Sequence, residues 1–326
     1  PYANNLSSEA LLMRQQKTKP GTLPQAIWPG LEAGVPKPLM PYSPAISAGG
    51  WIFIAGQLAS DMKTGLAPEI RMENYFLKSQ LELESNYVLK NLVDTIEATG
   101  CDINKDMVRI WQYFASPHPT LKQFSKGNNW PKINIQPYLN SRQKFVGDCP
   151  PSSSVGCREL MWRGTQLEVD MICFNDDLVS QVFSAPPEIP PLQDSSAAAL
   201  RRGDWVFIGA QSGIDPPSNS GLSNKEGITD SPRTWCGSVV AAQTERALEK
   251  LAEIAKIAGT RLEQAVKAEV YIGHAQDFSE MDDVWKTWFP HNPPARVVVP
   301  YMGMGTTGSR VEIALTLLAE DATITK

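Results

Sequence analysis

The chain has 326 residues, of which 42% are hydrophobic and 20% charged, an ordinary globular balance long enough for about two domains. A net charge of −5 and a pI near 5.4 argue against a nucleic-acid-binding surface, which normally carries a basic patch. No apolar run approaches the roughly eighteen residues of a membrane span, and no secretory signal is visible.

Five cysteines (Cys101, Cys149, Cys157, Cys173, Cys236) form no CxxC pair, and the three histidines (His118, His274, His291) are isolated from one another. A reduced, cytoplasmic protein with no metal site is therefore expected. The chain starts at Pro1 rather than a methionine, which leaves open that it is a piece of a longer protein.

Residues 1–38 are rich in Pro, Gly and Gln without a clean period and read as an extended lead-in, with a short helical turn at Leu11–Met13. Trp51–Ile54 is a compact apolar strand, and Gly56 after it permits a close backbone approach. Met72–Thr99 is a long helical pattern: Val88, Leu89, Leu92, Val93 and Ile96 make one apolar stripe, and Gly100 is placed to cap it. Met107–Phe114 reads as a strand and Asn134–Phe145 as a helix with Pro137 in its first turn. Leu160–Phe174 is expected to supply two strands. Asn175–Ser196, with Pro186-Pro-Glu-Ile-Pro-Pro191, reads as a semi-rigid linker.

The stretch Pro293-Pro-Ala-Arg-Val-Val-Val-Pro300 reads as a strand (Val297–Pro300), joined by a Gly-rich connection to a second strand, Arg310–Leu317. Side chains alternate along a strand, so Arg296 and Val298 share one face, and Val297 and Val299 the other. A guanidinium is a rigid fork for a carboxylate, and a nearby carboxylate such as Glu312 suits a general base. The same two residues also read as an ordinary Arg–Glu pair across neighbouring strands.

Pro-Pro-Ala-Arg, a hydrophobic strand, a glycine turn and Val311-Glu-Ile together resemble the C-terminal signature of the reactive-intermediate deaminase family (RidA, also called YjgF or L-PSP). Trp205–Gln211, Ala242–Gly259, Val266–Ile272 and Asp277–Phe289 resemble its early strand and turn, long helix, next strand and second helix. In the first half, Pro41-Tyr42, Trp51–Ile54 and Gly56-Gln57 resemble the start of the same fold. The resemblance implies an α+β class: two tandem chorismate-mutase-like domains, each a mixed β-sheet with two helices on one face.

The halves match pairwise: Ile54 with Ile208, Leu89 with Leu248, Gly100 with Gly259, Tyr113 with Tyr271, and Glu168 with Glu312. The last offset falls by fourteen residues, which places an insertion near 117–133, read as a loop. The expected organisation is residues 39–176 as a degenerate first domain, 177–196 as linker and 197–326 as second domain.

The resemblance implies a pocket in which Arg296 anchors a substrate carboxylate, Glu312 positions water or shuttles a proton, and Tyr42, Val298, Gly209 and Ala210 line the substrate. Ser152, Glu168 and Gly56 are the counterpart set in the first half, where Ser152 stands in place of the arginine. The second half has no tyrosine matching Tyr42. These complementary losses fit a composite site, and they fit decay of a duplicated domain as well.

Family members hydrolyse small carboxylate-bearing imines and enamines, such as 2-aminoacrylate, without a cofactor, and their pockets lie between subunits of a trimer. A homo-oligomer with trimer-like domain packing is therefore expected. Two divergent copies in series are also similar to the C-terminal half of the eukaryotic diphthine–ammonia ligase family of diphthamide biosynthesis. That family carries an upstream ATP-pyrophosphatase-type domain, whose phosphate loop this chain lacks. The alternatives are a non-catalytic oligomerisation or docking scaffold and, disfavoured by charge, an endoribonuclease or translation inhibitor.

Overall fold

The computed structural model describes residues 23–72, 78–116, 120–125, 133–189, 196–214, 238–302 and 308–322. The expected helical turn at Leu11–Met13, His118, Cys236 and most of the 117–133 insertion lie outside the described residues. Within the insertion, Leu121–Phe124 forms one short helical turn rather than loop.

In chain order, the first half supplies β1 (Gln25–Ile27), β2 (Ala45–Ala48), β3 (Trp51–Leu58), helix α1 (Gln80–Ala98), β4 (Met107–Ala115), helix α2 (Gln136–Phe145), β5 (Ser152–Cys157) and β6 (Leu167–Phe174). The second half supplies β7 (Gln181–Phe183), β8 (Ala199–Arg202), β9 (Trp205–Ser212), helix α3 (Val239–Ile257), β10 (Ala265–Ile272), helix α4 (Phe278–Trp288), β11 (Ala295–Pro300) and β12 (Val311–Leu318). Two six-stranded sheets result, in the orders β1-β2-β3-β6-β4-β5 and β7-β8-β9-β12-β10-β11. The same order appears twice, so the internal repeat is a repeat of topology. One compact unit comprises residues 1–112, 134–149 and 159–179, and the other comprises 113–133, 150–158 and 180–326.

Both long helices begin with the same chemistry. The Ser79 hydroxyl accepts from the Glu82 amide at α1, and the Ser238 hydroxyl accepts from the Ala241 amide at α3. Each satisfies an amide that has no partner inside the helix. This cap moves the start of α1 to Gln80. The expected continuous helix from Met72 is instead a short turn at Pro68–Met72, followed at Gln80 by the capped helix. Gly100 and Gly259 follow the two helix ends at φ +83° and +75°, the left-handed conformation that glycine tolerates best.

Leu160–Phe174 holds one strand, not two. The strand before β6 is Ser152–Cys157, and Trp162–Gly164 turns the chain between them. Its Ser-Ser-Ser run hides a buried strand, because every residue from Ser152 to Gly156 is buried while serine carries no apolar signature. Pro137 occupies the first turn of α2 as expected. The residues read as lead-in and linker contribute the short strands β1 and β7, which pair antiparallel with β2 and β8.

In the second unit, α3 and α4 cover one face of the sheet. Leu248, Leu251, Ile254, Met281 and Trp285 pack on Ile208, Ala268, Val270, Ile313 and Leu315, all buried. In the first unit the α1 stripe of Val88, Leu89, Leu92 and Ile96 is fully buried. Among the described residues no helix is long and apolar enough to cross a membrane.

Candidate functional site

The two glutamates occupy one register position in two sheets. Glu168 on β6 is opposite Leu58 on β3, and Glu312 on β12 is opposite Ser212 on β9. Next to each lies a β-bulge, between Ile54 and Gln57 in the first half and between Ile313 and Leu315 in the second. Bulges re-aim side chains and are common beside functional sites.

A helix residue fixes the entry to each of these strands. The buried Glu84 carboxylate on α1 accepts from the Gln166 and Leu167 amides at 2.7 and 3.2 Å. At the matching place on α3, Gln243 accepts from the Arg310 amide at 2.6 Å and donates to the Gly308 carbonyl at 3.0 Å. Each latch holds a backbone amide one or two residues ahead of its glutamate.

In the first unit, Tyr42, Gly56 and Glu168 come together. A methyl group on residue 56 would overlap the Glu168 carboxylate, so the side chain lies directly over the glycine backbone. Burial raises the Glu168 pKa above the usual carboxylate range. Tyr42 is half-buried, and its pKa is raised first by burial and then by the Glu168 charge. Its hydroxyl donates to the Met62 sulfur at 3.9 Å. Ser152 heads β5 and is buried.

In the second unit, Arg296 and Glu312 are not brought together. On β10, Ala268 neighbours Arg296 on one side and Leu315 on the other. Tyr271 neighbours Val299 and Glu312. Residues opposite one another in register share a face, so Arg296 and Val298 face the helices while Glu312 faces the other side.

There the Arg296 guanidinium pairs with Asp282 of α4 at 2.6 Å and stacks over Trp285 and Phe278, 4.9 and 5.7 Å from their ring centroids. The hydrogen bond from Arg296 lowers the Asp282 pKa, and Lys286 also reaches Asp282 at 3.1 Å. This is a helix-to-sheet clamp.

Glu312 is 3% exposed, and its pKa is raised to about 7 by burial, against a smaller lowering by Tyr301. Tyr301 is buried beside it, and its own pKa is raised well above the normal value by burial and then by Glu312. The two groups perturb each other, yet the Tyr301 hydroxyl forms no hydrogen bond of acceptable geometry among the described residues. Tyr301 packs edge-on against Tyr271, 5.6 Å between ring centroids, and both pack with Val155 and Tyr113, which belong to the same unit.

Ala210 stands where the first half has Gly56, two residues before the register partner of its glutamate. It carries a methyl where one on Gly56 would overlap the glutamate carboxylate. Gly209 adjoins the Ser152 backbone, 3.1 Å from the Ser152 oxygen to a hypothetical Cβ.

Sequence reasoning missed Asp282 and Tyr301. Tyr301 was accessible through alternation, since residues 297, 299 and 301 lie on the Tyr271 side of the strand. Asp282 became visible only when α4 was seen to lie across β11. Among the described residues no group of three or more His, Cys, Asp or Glu side chains is placed to hold a metal ion.

Two copies of a mixed sheet, each backed by two helices and each with a glutamate beside a bulge, define a tandem α+β protein of the chorismate-mutase-like class. The model of the family described as "Endoribonuclease L-PSP" matches residues 33–174 and 188–318, and the chain belongs to that family. A RutC family protein of Pyrococcus horikoshii is 37% identical over 116 residues, covering 36% of this chain and 78% of that protein. Human 2-iminobutanoate/2-iminopropanoate deaminase is 30% identical over 139 residues, covering 42% of this chain and 88% of that protein. Among solved structures, a putative endoribonuclease from Thermotoga maritima aligns with a TM-score of 0.35 at 23% identity, over 43% of this chain and 98% of that one.

Proposed function

We propose that this chain is an imine-handling tandem module in which Glu312 and Glu168 do acid–base work on small imines or enamines, releasing ammonia. The observation that carries this reading is the pair of register-matched glutamates, each beside a bulge on a strand entered through a helix latch, Glu312 buried and Glu168 half-buried. A carboxyl shifted to about 7 exchanges protons near neutral pH, the property a general acid–base group needs. The human relative's name, an imine deaminase, supports the same chemistry. Imines hydrolyse spontaneously, so orienting one water against the carbon and protonating the departing nitrogen is sufficient catalysis.

In this reading Arg296 clamps α4, and a substrate carboxylate reaches it only if the Asp282 pair opens. Asp282 would then keep Lys286 as a partner. The order of two divergent copies in series supports placing the module in a diphthine–ammonia ligase-type protein. The upstream ATP-pyrophosphatase-type domain, the trimer-like packing of domains and the cytoplasmic location belong to the same proposal.

A second reading, a non-catalytic oligomerisation or docking scaffold, is favoured by one observation: the only arginine matching the family's anchor is committed to Asp282. Ammonia release from enzymatically generated 2-aminoacrylate and from an uncharged imine separates the two. Release above the spontaneous rate that is lost on Glu312→Gln with Glu168→Gln supports hydrolysis; spontaneous rates throughout support the scaffold.

A further inference from the structure

The second half lacks a counterpart to Tyr42, yet the fold supplies its glutamate with a tyrosine by a different route. Tyr42 reaches Glu168 from the segment ahead of β2. Tyr301 reaches Glu312 from the end of β11, where its amide donates to the Ile272 carbonyl at 2.9 Å. That bond ties the tyrosine to the end of the neighbouring strand, one residue from Tyr271, the register partner of Glu312.

We propose that Tyr301 is the positioning residue for Glu312, its buried hydroxyl and the carboxyl together forming a two-point site for one water or one small imine nitrogen. This inference rests on the acid–base reading of Glu312 given above.

Three observations converge on it. The Tyr301 hydroxyl is buried and makes no hydrogen bond of full geometry among the described residues, although it lies near enough to Glu312 for each group to shift the other, and a buried polar group short of a partner marks a place for a polar ligand. Ala210 carries a methyl at the position where a Cβ on Gly56 would overlap the Glu168 carboxylate, so the equivalent pose is not open to Glu312, whose charge instead acts on Tyr301. The phenols Tyr301 and Tyr271 adjoin the carboxyl, and Tyr113 packs against them. Phenols stay neutral near pH 7 and can donate a hydrogen bond without neutralising the carboxylate. A ligand bridging the hydroxyl and the carboxyl would satisfy both, and protonation of the carboxyl would make it a donor to an imine nitrogen.

The test is the titration of the Glu312 carboxyl, followed by ¹³C NMR of the glutamate side chains and assigned by loss of the signal in Glu312→Gln. Tyr301→Phe removes one oxygen from an otherwise unchanged ring and serves as the variant, with far-UV circular dichroism confirming the fold. The expected result is an upward move of the Glu312 midpoint in Tyr301→Phe, because the water that donates to the carboxylate has lost its second anchor. In Ala210→Gly, which reopens the pose over the backbone, Tyr301→Phe should then have a smaller effect. An unchanged midpoint in folded Tyr301→Phe overturns the proposal. The readout needs no turnover, so its failure is distinct from failure of the hydrolase reading. Ammonia release with an unmoved midpoint sinks only the Tyr301 assignment, and a moved midpoint without ammonia release sinks only the hydrolase.

Discussion

Arg296 and Glu312 lie on opposite faces of one sheet. Register fixes this: Arg296 is level with Ala268 and Leu315 in the helix-covered core, whereas Glu312 is level with Tyr271 on the other side. An arginine and a glutamate that the sequence invites one to join are thereby given separate tasks: Arg296 pairs with Asp282, and Glu312 takes the acid–base role proposed above.

The structural task predicts stability effects. Arg296→Ala should lower the unfolding free energy by about 1–3 kcal/mol, from loss of a partly buried ion pair and of stacking on Trp285. Asp282→Asn should cost less, and a double-mutant cycle should show coupling between them. Urea denaturation read by tryptophan fluorescence measures both. Additive effects would mean that the pair is not a clamp.

The chemical task predicts a pH dependence with a definite sign. The Glu312 pKa is raised from 4.5 to about 7 in the folded chain, so folding favours the protonated form. Its contribution to stability is fully present below pH 4.5 and is lost as pH rises through about 7. Glu312→Gln should flatten this stretch of the stability curve and be more stable than the parent at pH 8 by roughly 3 kcal/mol. Melting temperatures taken from pH 5 to 8 report it; parallel curves for the two proteins would contradict a neutral buried carboxyl.

The latches predict an asymmetric pair of substitutions. Glu84→Gln keeps an acceptor for the Gln166 amide, as Gln243 does for Arg310, and should be tolerated. Glu84→Ala leaves two amides at the entry to β6 without that acceptor and should cost about 2–3 kcal/mol. Chemical denaturation of both variants checks the difference. Equal losses would assign Glu84 a role other than this latch.

Gly56 and Ala210 predict opposite outcomes at equivalent positions. Gly56→Ala forces the Glu168 carboxylate off the backbone and should destabilise the fold by about 1–3 kcal/mol. Ala210→Gly removes a small buried methyl and should cost about 1 kcal/mol, mainly backbone entropy and lost packing. The Tyr42 titration, followed by ultraviolet difference spectra, should also move in Gly56→Ala, because the neighbouring charge has moved. A phenol indifferent to Gly56→Ala would separate Tyr42 from Glu168.

Much of this architecture is legible in the sequence, because the cues are local. The α1 stripe, the glycines after both long helices and Pro137 are read from spacing and backbone preference alone. The start of α1 needed recognition of Ser79 and Glu82 as a cap against a continuing helical pattern. The Ser152–Cys157 strand was missed because burial there is imposed by tertiary packing on residues with no apolar signature. At the site, alternation placed Arg296 with Val298 correctly, but it could not show where Glu312 stood until β10 supplied the register between their strands. Asp282 is fourteen residues from Arg296, and no local rule links them.

Acid–base hydrolysis is tested most directly by ammonia release from enzymatically generated 2-aminoacrylate and from an uncharged imine, comparing the intact chain with the Glu168→Gln, Glu312→Gln double variant and with Arg296→Ala. The predicted result is release above the spontaneous rate, lost in the double variant and retained in Arg296→Ala once the variant is shown to be folded. Release that survives removal of both glutamates, or no release by the folded intact chain, would contradict acid–base hydrolysis and leave the scaffold.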